Sequence, residues 1–365
     1  MARLIAALSG GVDSAVAAAL TAEAGHEVTA IHLALFRRLA DYRPGSRGCC
    51  SLEDAHDARR VADALGLPFY VWDLSERFQE AVVEDFLAEY EAGRTPNPCL
   101  RCNESVKFAA VLERALRLGF DGIVTGHYAS LLRRPDGTVE LCRAADAAKD
   151  QSYVLAVMNQ EQLRCSYFPL GGSLKTEVRA EAARRGFQVA AKPDSTDICF
   201  IPDGDTAGWL RGKLGRRPGP IRDESGAVVG KHEGFFAYTV GQRRGLRLGR
   251  PAADGQPRYV TKIDPAAAVV TVGPRSLLRV GRIETGPPLW CSGPPPDRFA
   301  AAVQFRAHGQ ALAADIQVEA QGAATAVSLR EPAYGVAPGQ TIVFYDGPRV
   351  VGSAMIDATA PPDGD

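Results

Sequence analysis

A strand, a turn of small residues and a helix follow one another within the first two dozen residues. That succession restricts the fold more than any other feature. Leu4, Ile5, Ala6, Ala7 and Leu8 make an apolar run, residues 9–14 read Ser-Gly-Gly-Val-Asp-Ser, and an alanine-rich stretch follows. A tight turn at a strand-to-helix junction aims several backbone N–H groups at one point, and the positive end of the helix dipole adds to them. Such a nest takes an anion. Gly10 and Gly11 remove the Cβ atoms that would block a phosphate, Ser9 and Ser14 supply hydroxyl donors, and Asp13 is able to hold Mg2+. No Gly-x-x-x-x-Gly-Lys-Ser/Thr occurs, so the loop is not of the Walker type. The plainer alternative is a glycine-rich turn with no ligand.

The rest of the first half repeats one grammar: a helix ends at a glycine and an apolar strand follows. Ala24-Gly25 precedes Glu27–Leu33, Leu65-Gly66 precedes Pro68–Trp72, Leu118-Gly119 precedes Asp121–Thr125, and Arg185-Gly186 precedes Phe187–Ala191. Glycine closes helices because it accepts a left-handed backbone. Ser51 with Asp54 reads as a capping box opening one helix. Alternating strands and helices build a parallel sheet that binds ligands at the carboxyl ends of its strands. The second half changes character. Gly215–Ile221 and Gly286–Asp297 are rich in glycine and proline and mark breaks. After them come short strand signals: Tyr259–Ile263, Val269–Val272, Ala300–Phe305, Ile316–Ala320, Ala326–Arg330, Ile342–Tyr345 and Val350–Ile356. Their spacing suggests a small sheet domain and then a barrel. The expected fold is therefore α/β, with a Rossmann-like parallel sheet domain over 1–207, a small β-rich central domain over 208–284, a C-terminal β-barrel over 285–360 and a disordered tail over 361–365.

Composition limits the function classes. A chain of 365 residues with 46% hydrophobic and 23% charged residues is ordinary for a soluble protein. A formal net charge of −1 gives no global footprint for a polyanion, so a nucleic acid would need local basic patches such as Arg211–Arg217 and Arg243–Arg250. No apolar run is long enough to span a membrane and no secretory signal is read, which places the chain in the cytoplasm. Eight cysteines there argue against a disulfide framework and for buried thiols, a metal, or sulfur chemistry. Cys99 and Cys102 stand in a Cys-x-x-Cys spacing just before an expected helix over Glu104–Leu118, beside Arg101; both surroundings lower a thiol pKa. A catalytic thiol, a structural zinc site lacking a visible second pair, and a redox pair are the readings. Cys199, between Ile198 and Phe200, is by itself either buried filler or a third reactive thiol.

Residues 9–14 resemble the PP-loop of the ATP pyrophosphatase superfamily, whose members split ATP into AMP and pyrophosphate. The segment Lys192–Ile201, with its Asp-Ser-x-x-Ile-Cys-Phe-Ile, closely resembles a signature of the tRNA-specific 2-thiouridylases. The resemblance extends through Thr95-Pro-Asn-Pro98 with Cys102-Asn103, Thr125-Gly-His-Tyr-Ala129, Lys149-Asp-Gln-Ser-Tyr153, Tyr238–Leu246 and Pro338-Gly-Gln340 with Phe344-Tyr-Asp346. It implies sulfur transfer to the wobble uridine of tRNA anticodons. ATP adenylates the uracil 2-oxygen, a persulfide delivers sulfur, and a second thiol completes the exchange. By position, Cys199 carries the persulfide and Cys102 is the nucleophile, the two forming a transient disulfide.

The same resemblance assigns the nucleotide to Ala7, Leu8, Ser9, Gly10, Gly11, Val12, Asp13 and Ser14, with adenine at Leu33 and Gly126 allowing close approach. It assigns tRNA contacts to His127, Lys149, Asp150, Gln151 and Gln340. The cofactors implied are ATP and Mg2+. The partners are the tRNA anticodon arm and a sulfur donor such as a cysteine desulfurase or relay protein. Some relatives carry an acidic residue where Cys99 stands, so Cys99 is a spare nucleophile or joins Cys102 and Cys199 around an iron–sulfur cluster. Cys49, Cys50, Cys142, Cys165 and Cys291 have no motif spacing. An adenylating ligase for a small substrate would explain the loop but leave the thiols idle. An RNA-binding module with zinc-holding cysteines is the non-enzymatic alternative.

Overall fold

The computed structural model describes residues 1–36, 52–194, 198–201, 203–249, 254–319 and 322–362. Cys49, Cys50, Ser51 and Arg250, and so the expected capping box at Ser51, lie outside them.

The first domain is built on β1 (Arg3–Ala7), β2 (Glu27–Ala34), β3 (Phe69–Asp73), β4 (Gly122–Val124) and, after a hairpin of β5 (Ser130–Arg133) and β6 (Val139–Cys142), β7 (Ser166–Tyr167). The sheet order is β3-β2-β1-β4-β7 and every pairing is parallel. Side chains alternate across it as the pleat requires. Leu4, Ala6 and Leu8 face a core shared with the helices Val12–Glu23 and Leu52–Ala64, while Ile5 faces the opposite core with Leu100 and Phe108. Ala15, Ala17, Ala18 and Ala19 are fully buried. Their small side chains let the Val12–Glu23 helix lie close on the sheet and hold its N-terminus at the end of β1.

Two expectations are corrected. Phe187–Ala191 is not a strand: residues Gln188–Ala191 form a single 3-10 turn. β7 takes the place beside β4, and the Arg179 guanidinium donates to the carbonyls of Ala190 and Lys192 at 2.8 and 3.0 Å, doing what a neighbouring strand would do. The helix expected over Glu104–Leu118 starts earlier. It runs through Pro98–Cys102, a wider π-type stretch Asn103–Val111 and Leu112–Arg117. Asn97 caps it by accepting from Cys99 N–H at 3.0 Å, and Pro98 takes the first position, where a missing N–H costs nothing. Cys99 and Cys102 thus belong to the helix instead of preceding it.

The central domain is a four-stranded sheet of β8 (Gly219–Arg222), β9 (Val228–His232), β10 (Tyr259–Asp264) and β11 (Val269–Gly273). Its Phe235, Val260 and Val270 share an apolar cluster with Phe78, Phe86 and Phe200 of the first domain. The last domain holds β12 (Arg279–Thr285), β13 (Leu289–Trp290), β14 (Arg298–Gln304), β15 (Leu312–Val318), β16 (Thr325–Tyr334), β17 (Thr341–Asp346) and β18 (Arg349–Ala360). Six of these strands run β12-β16-β15-β14-β17-β18, and a further β12–β18 pairing closes the barrel. β12 already belongs to it, ahead of the expected start at 285. Gly286–Asp297, read as a break, contains β13 paired to β18 and is a connection within the barrel. Of the expected tail, Pro362 lies against Gly281.

Candidate active site

The loop after β1 is held by its own side chains. Ser9 N–H donates to Ser14 Oγ at 3.1 Å, and the Ser14 hydroxyl lies 3.1 Å from the Gly11 carbonyl and 3.2 Å from Ser9 Oγ. Gly10 has φ of 75° and its missing Cβ would stand 2.3 Å from the Asp54 carbonyl oxygen, so no other residue fits. Gly11 differs: a Cβ there would meet only Ser9 Oγ at 3.4 Å, so its absence leaves room on the ligand side. Gly126 supports the loop from below. Its Cβ would lie 2.6 Å from both Asp13 C and Ser14 N. Its smallness thus serves packing against the loop.

Without a lysine of its own, the loop receives cations from elsewhere in the chain. Lys175 Nζ donates to both Asp13 oxygens at 2.7 Å, and the Tyr128 hydroxyl donates to Oδ1 at 2.8 Å. Burial and the Asp13 charge hold the Tyr128 phenol well above its usual range. Asp194 gathers Lys149 at 2.7 Å, Arg179 at 2.7 Å and Lys175 at 2.9 Å. Burial alone would raise the Asp194 carboxyl, but the hydrogen bonds from Lys149 and Lys175 outweigh it and draw it down to about 2. Lys192 Nζ donates to the Gly10 carbonyl at 2.9 Å, to Asp54 at 2.7 Å and to Asp57 at 2.6 Å. Burial works against its charge and the two carboxylates more than restore it, so its pKa is raised. Lys192 and Asp194 flank a proline at the root of the segment that leads to Cys199.

Of these residues, Lys175, Lys192, Asp194, Arg179 and Tyr128 were missed as site residues in the sequence, whereas Asp13 and Lys149 were named there. Lys192, Asp194 and Tyr128 sit inside motifs quoted above, and only their partners reveal what they do. Lys175 has no local signal. Asp13 was expected to hold Mg2+; in this structure the Lys175 ammonium spans both its oxygens.

Cys102 is buried and Cys199 half-buried, and both pack against one apolar cluster with Phe200, Ile201 and Val106. Leu33, the expected adenine position after β2, touches the same cluster. The two thiols and the residue at the carboxyl end of β2 therefore border the same apolar cluster. Cys99, by contrast, is exposed. Among the described residues no group of three or more His, Cys, Asp or Glu is arranged to hold a single metal ion. Burial raises the Cys142 and Cys165 thiols and pushes Cys291 up to about 12.

The residues expected on tRNA divide. His127 Nδ1 lies 2.7 Å from Thr125 Oγ1, with its ring packed beside the Phe108–Phe168 pair. Lys149 belongs to the Asp194 group. Gln151 Oε1 accepts from Tyr128 N–H at 2.9 Å. Asp150 is buried and accepts from Arg143 at 2.8 Å, Ala144 N–H at 3.0 Å, and Ser152 N–H and Oγ–H at 3.1 and 3.0 Å. Its neighbours face the barrel: Ser152 Oγ is 3.2 Å from the Tyr345 hydroxyl, and the Tyr153 hydroxyl reaches the Phe305 and Thr341 carbonyls at 3.0 and 2.8 Å. Gln340 folds back so that Oε1 accepts from Ala337 N–H at 2.9 Å.

Comparison with known proteins follows the same division of the chain. A model described as tRNA methyl transferase HUP domain matches residues 2–203, a tRNA methyl transferase PRC-barrel domain matches 207–274, and an Aminomethyltransferase beta-barrel domain matches 280–356. A Nocardioides sp. protein named tRNA-specific 2-thiouridylase MnmA is 62% identical over 362 residues, 98% of each chain. The protein of that name from Acidothermus cellulolyticus is 61% identical over 358 residues, again 98% of each. The one from Cutibacterium acnes is 59% identical over 357 residues, 98% of this chain and 97% of its own. A HUP sheet with a glycine-rich anion loop at its carboxyl edge, followed by a PRC-barrel and a second barrel, defines a PP-loop protein with two appended β domains. Within that class the chain belongs to the tRNA-specific 2-thiouridylase family.

Proposed function

We propose that this chain is an ATP-dependent tRNA-uridine 2-sulfurtransferase that converts the wobble uridine of tRNA anticodons to 2-thiouridine. The observation that supports the proposal is that Cys102 and Cys199, from separate segments, pack on one apolar cluster that Leu33, at the carboxyl end of the second strand, also borders. A ligase acting on a small substrate would have no use for either thiol.

ATP lies along residues 7–14 with adenine toward Leu33, and its phosphates meet the N–H groups at the start of the Val12–Glu23 helix. Lys175, released from Asp13, neutralises phosphate charge. Any Mg2+ arrives with the nucleotide. The uridine 2-oxygen attacks the α-phosphorus, pyrophosphate leaves, and the base carries AMP on that oxygen. A sulfur donor, a cysteine desulfurase or a relay protein, has placed a sulfane sulfur on Cys199. Its terminal sulfur attacks C2 and AMP departs with the oxygen. The Cys102 thiolate then attacks Cys199 Sγ, the Cys199–sulfane bond breaks, and the electron pair leaves with the sulfur now on C2. A Cys102–Cys199 disulfide remains for an external thiol to reduce. Lys149, His127, Gln151 and Gln340 contact the tRNA, whose target base is turned out of its stack. The setting is the cytoplasm; among the described residues no helix is long and apolar enough to cross a membrane.

Thiolation of unmodified tRNA with ATP and a sulfane-sulfur donor, a cysteine desulfurase with cysteine, tests this reading. Cys102→Ser and Cys199→Ser abolish product and Cys99→Ser retains it. Full activity in Cys199→Ser overturns the assignment. Activity that tracks iron content and is lost in all three variants replaces the persulfide with a cluster.

A further inference from the structure

Residues 89–97 lead from the helix Asp85–Glu91 to the cap of the helix that carries Cys102, and all three domains meet on them. From the barrel, the Pro338 carbonyl accepts from Thr95 N–H at 2.9 Å. The adjacent Gly339 sits so close that a Cβ would stand 2.7 Å from Arg94 Cβ and 2.8 Å from Thr95 N. From the central domain, Pro265 presses on Gly93, whose Cβ would lie 2.7 Å from Pro265 Cγ, and Arg217 pairs with Glu91. Within the first domain, the buried Glu89 carboxylate accepts from Arg94 Nε at 2.7 Å. The next residues are Pro96, the cap Asn97, and Pro98.

We propose that this junction positions the Cys102 thiol, so that both β-rich domains act on the sulfur-transfer step through residues 91–97, with Gly93, Thr95 and Gly339 as positioning residues. The inference rests on the sulfur-transfer reading above. Gly93 and Gly339 have φ of 73° and 85°, and neither has room for a Cβ against the neighbouring domain, so the connector has little slack at either point. Pro96 and Pro98 have fixed φ angles, so little of a displacement at Thr95 is absorbed before the helix begins. A shift of about 1 Å in a reacting group costs on the order of a hundredfold in rate. The Thr-Pro-Asn-Pro motif thereby acquires a physical reason: its Thr N–H takes the barrel's carbonyl, its Asn caps the thiol helix, and its prolines stiffen the link.

The test uses Gly93→Ala and Gly339→Ala in the full chain. It reads tRNA-dependent AMP release, thiolated tRNA formed per AMP, maleimide labelling of Cys102 located by peptide mass mapping, and melting temperature. AMP release stays within about threefold of the parent, thiolation per AMP falls at least about tenfold, and Cys102 labelling accelerates at least about tenfold. Thr95→Pro, which removes the N–H that the Pro338 carbonyl accepts, lowers thiolation per AMP in the same way. Should an alanine variant unfold, Glu89→Gln carries the test, with thiolation per AMP lowered at least about threefold. Unchanged coupling and labelling, or AMP release falling in step with thiolation, overturns the proposal. If the parent chain makes no thiolated tRNA, the sulfur-transfer reading fails on its own, and Cys102 labelling still decides whether the junction holds the thiol.

Discussion

Asp194 is one carboxylate among three cations, Lys149, Lys175 and Arg179. Its charge is what allows two lysines and an arginine to gather beside the phosphate loop in the absence of a nucleotide. Because its carboxyl is drawn down from 3.8 to about 2, its contribution to stability is complete above the unfolded value and is lost as pH falls through about 2. Asp194→Asn should therefore cost about 1–2 kcal/mol at pH 7, a figure reduced for solvent screening. The gap between variant and parent in urea melts should narrow steadily from pH 4 towards pH 2; a gap independent of pH refutes the account. At the thiols, the Cys291 pKa near 12 leaves it protonated and inert at neutral pH. Alkylation of the native chain at pH 7 should spare Cys291, and Cys291→Ala should keep thiolation within about threefold. Early labelling of Cys291 would contradict this.

At the scale of elements, the phosphate loop is shaped by contacts from other segments. Gly10→Ala would combine a left-handed backbone with a Cβ 2.3 Å from the Asp54 carbonyl, and a loss of at least about 2 kcal/mol of stability is expected in denaturant melts. Gly126→Ala pushes on Asp13 and Ser14 instead; it should weaken ATP binding at least about tenfold in calorimetry while circular dichroism stays that of the parent. Undiminished ATP affinity would show that the loop yields. The loop, the parallel sheet and most barrel strands were legible because each leaves a local pattern: alternation of apolar side chains, or a glycine after a helix. Phe187–Ala191 misled because its alternating buried residues Phe187 and Val189 imitate a strand, while the decisive fact, the Arg179 guanidinium on its carbonyls, comes from another helix. The helix start at Pro98 was legible in principle, since Asn97-Pro98 is a cap followed by a first-position proline. The cation set was legible only at Lys149, because Lys175 and Lys192 reach the loop only when the chain is folded.

At the scale of the molecule, the domains do not end where their sheets do. One core holds Ile5, Ile31, Trp72 and Phe108 of the first domain together with Cys291, Val343, Tyr345 and Val350 of the barrel. Hydrogen bonds cross the same boundary: Ser353 Oγ donates to the Ala156 carbonyl at 2.8 Å, Gln160 Nε2 to the Cys291 carbonyl at 2.6 Å, and Arg143 to Gln304 at 2.9 Å. β6 even joins β18, with Arg349 opposite Cys142. A chain cut before β12 should therefore expose this face, bind a hydrophobic dye and aggregate, whereas the full chain should unfold in one calorimetric transition. Two well-separated transitions would disprove the shared core.

That shared core also sets a timetable. A ribosome adds roughly 5–20 residues each second, so the helix at Ser152–Leu155 is in solution many seconds before the strand that carries Val350. Throughout that interval the nascent first domain presents an unfinished apolar wall beside Tyr153 and Ala156, and β18, made about two hundred residues later, is the strand that seals it.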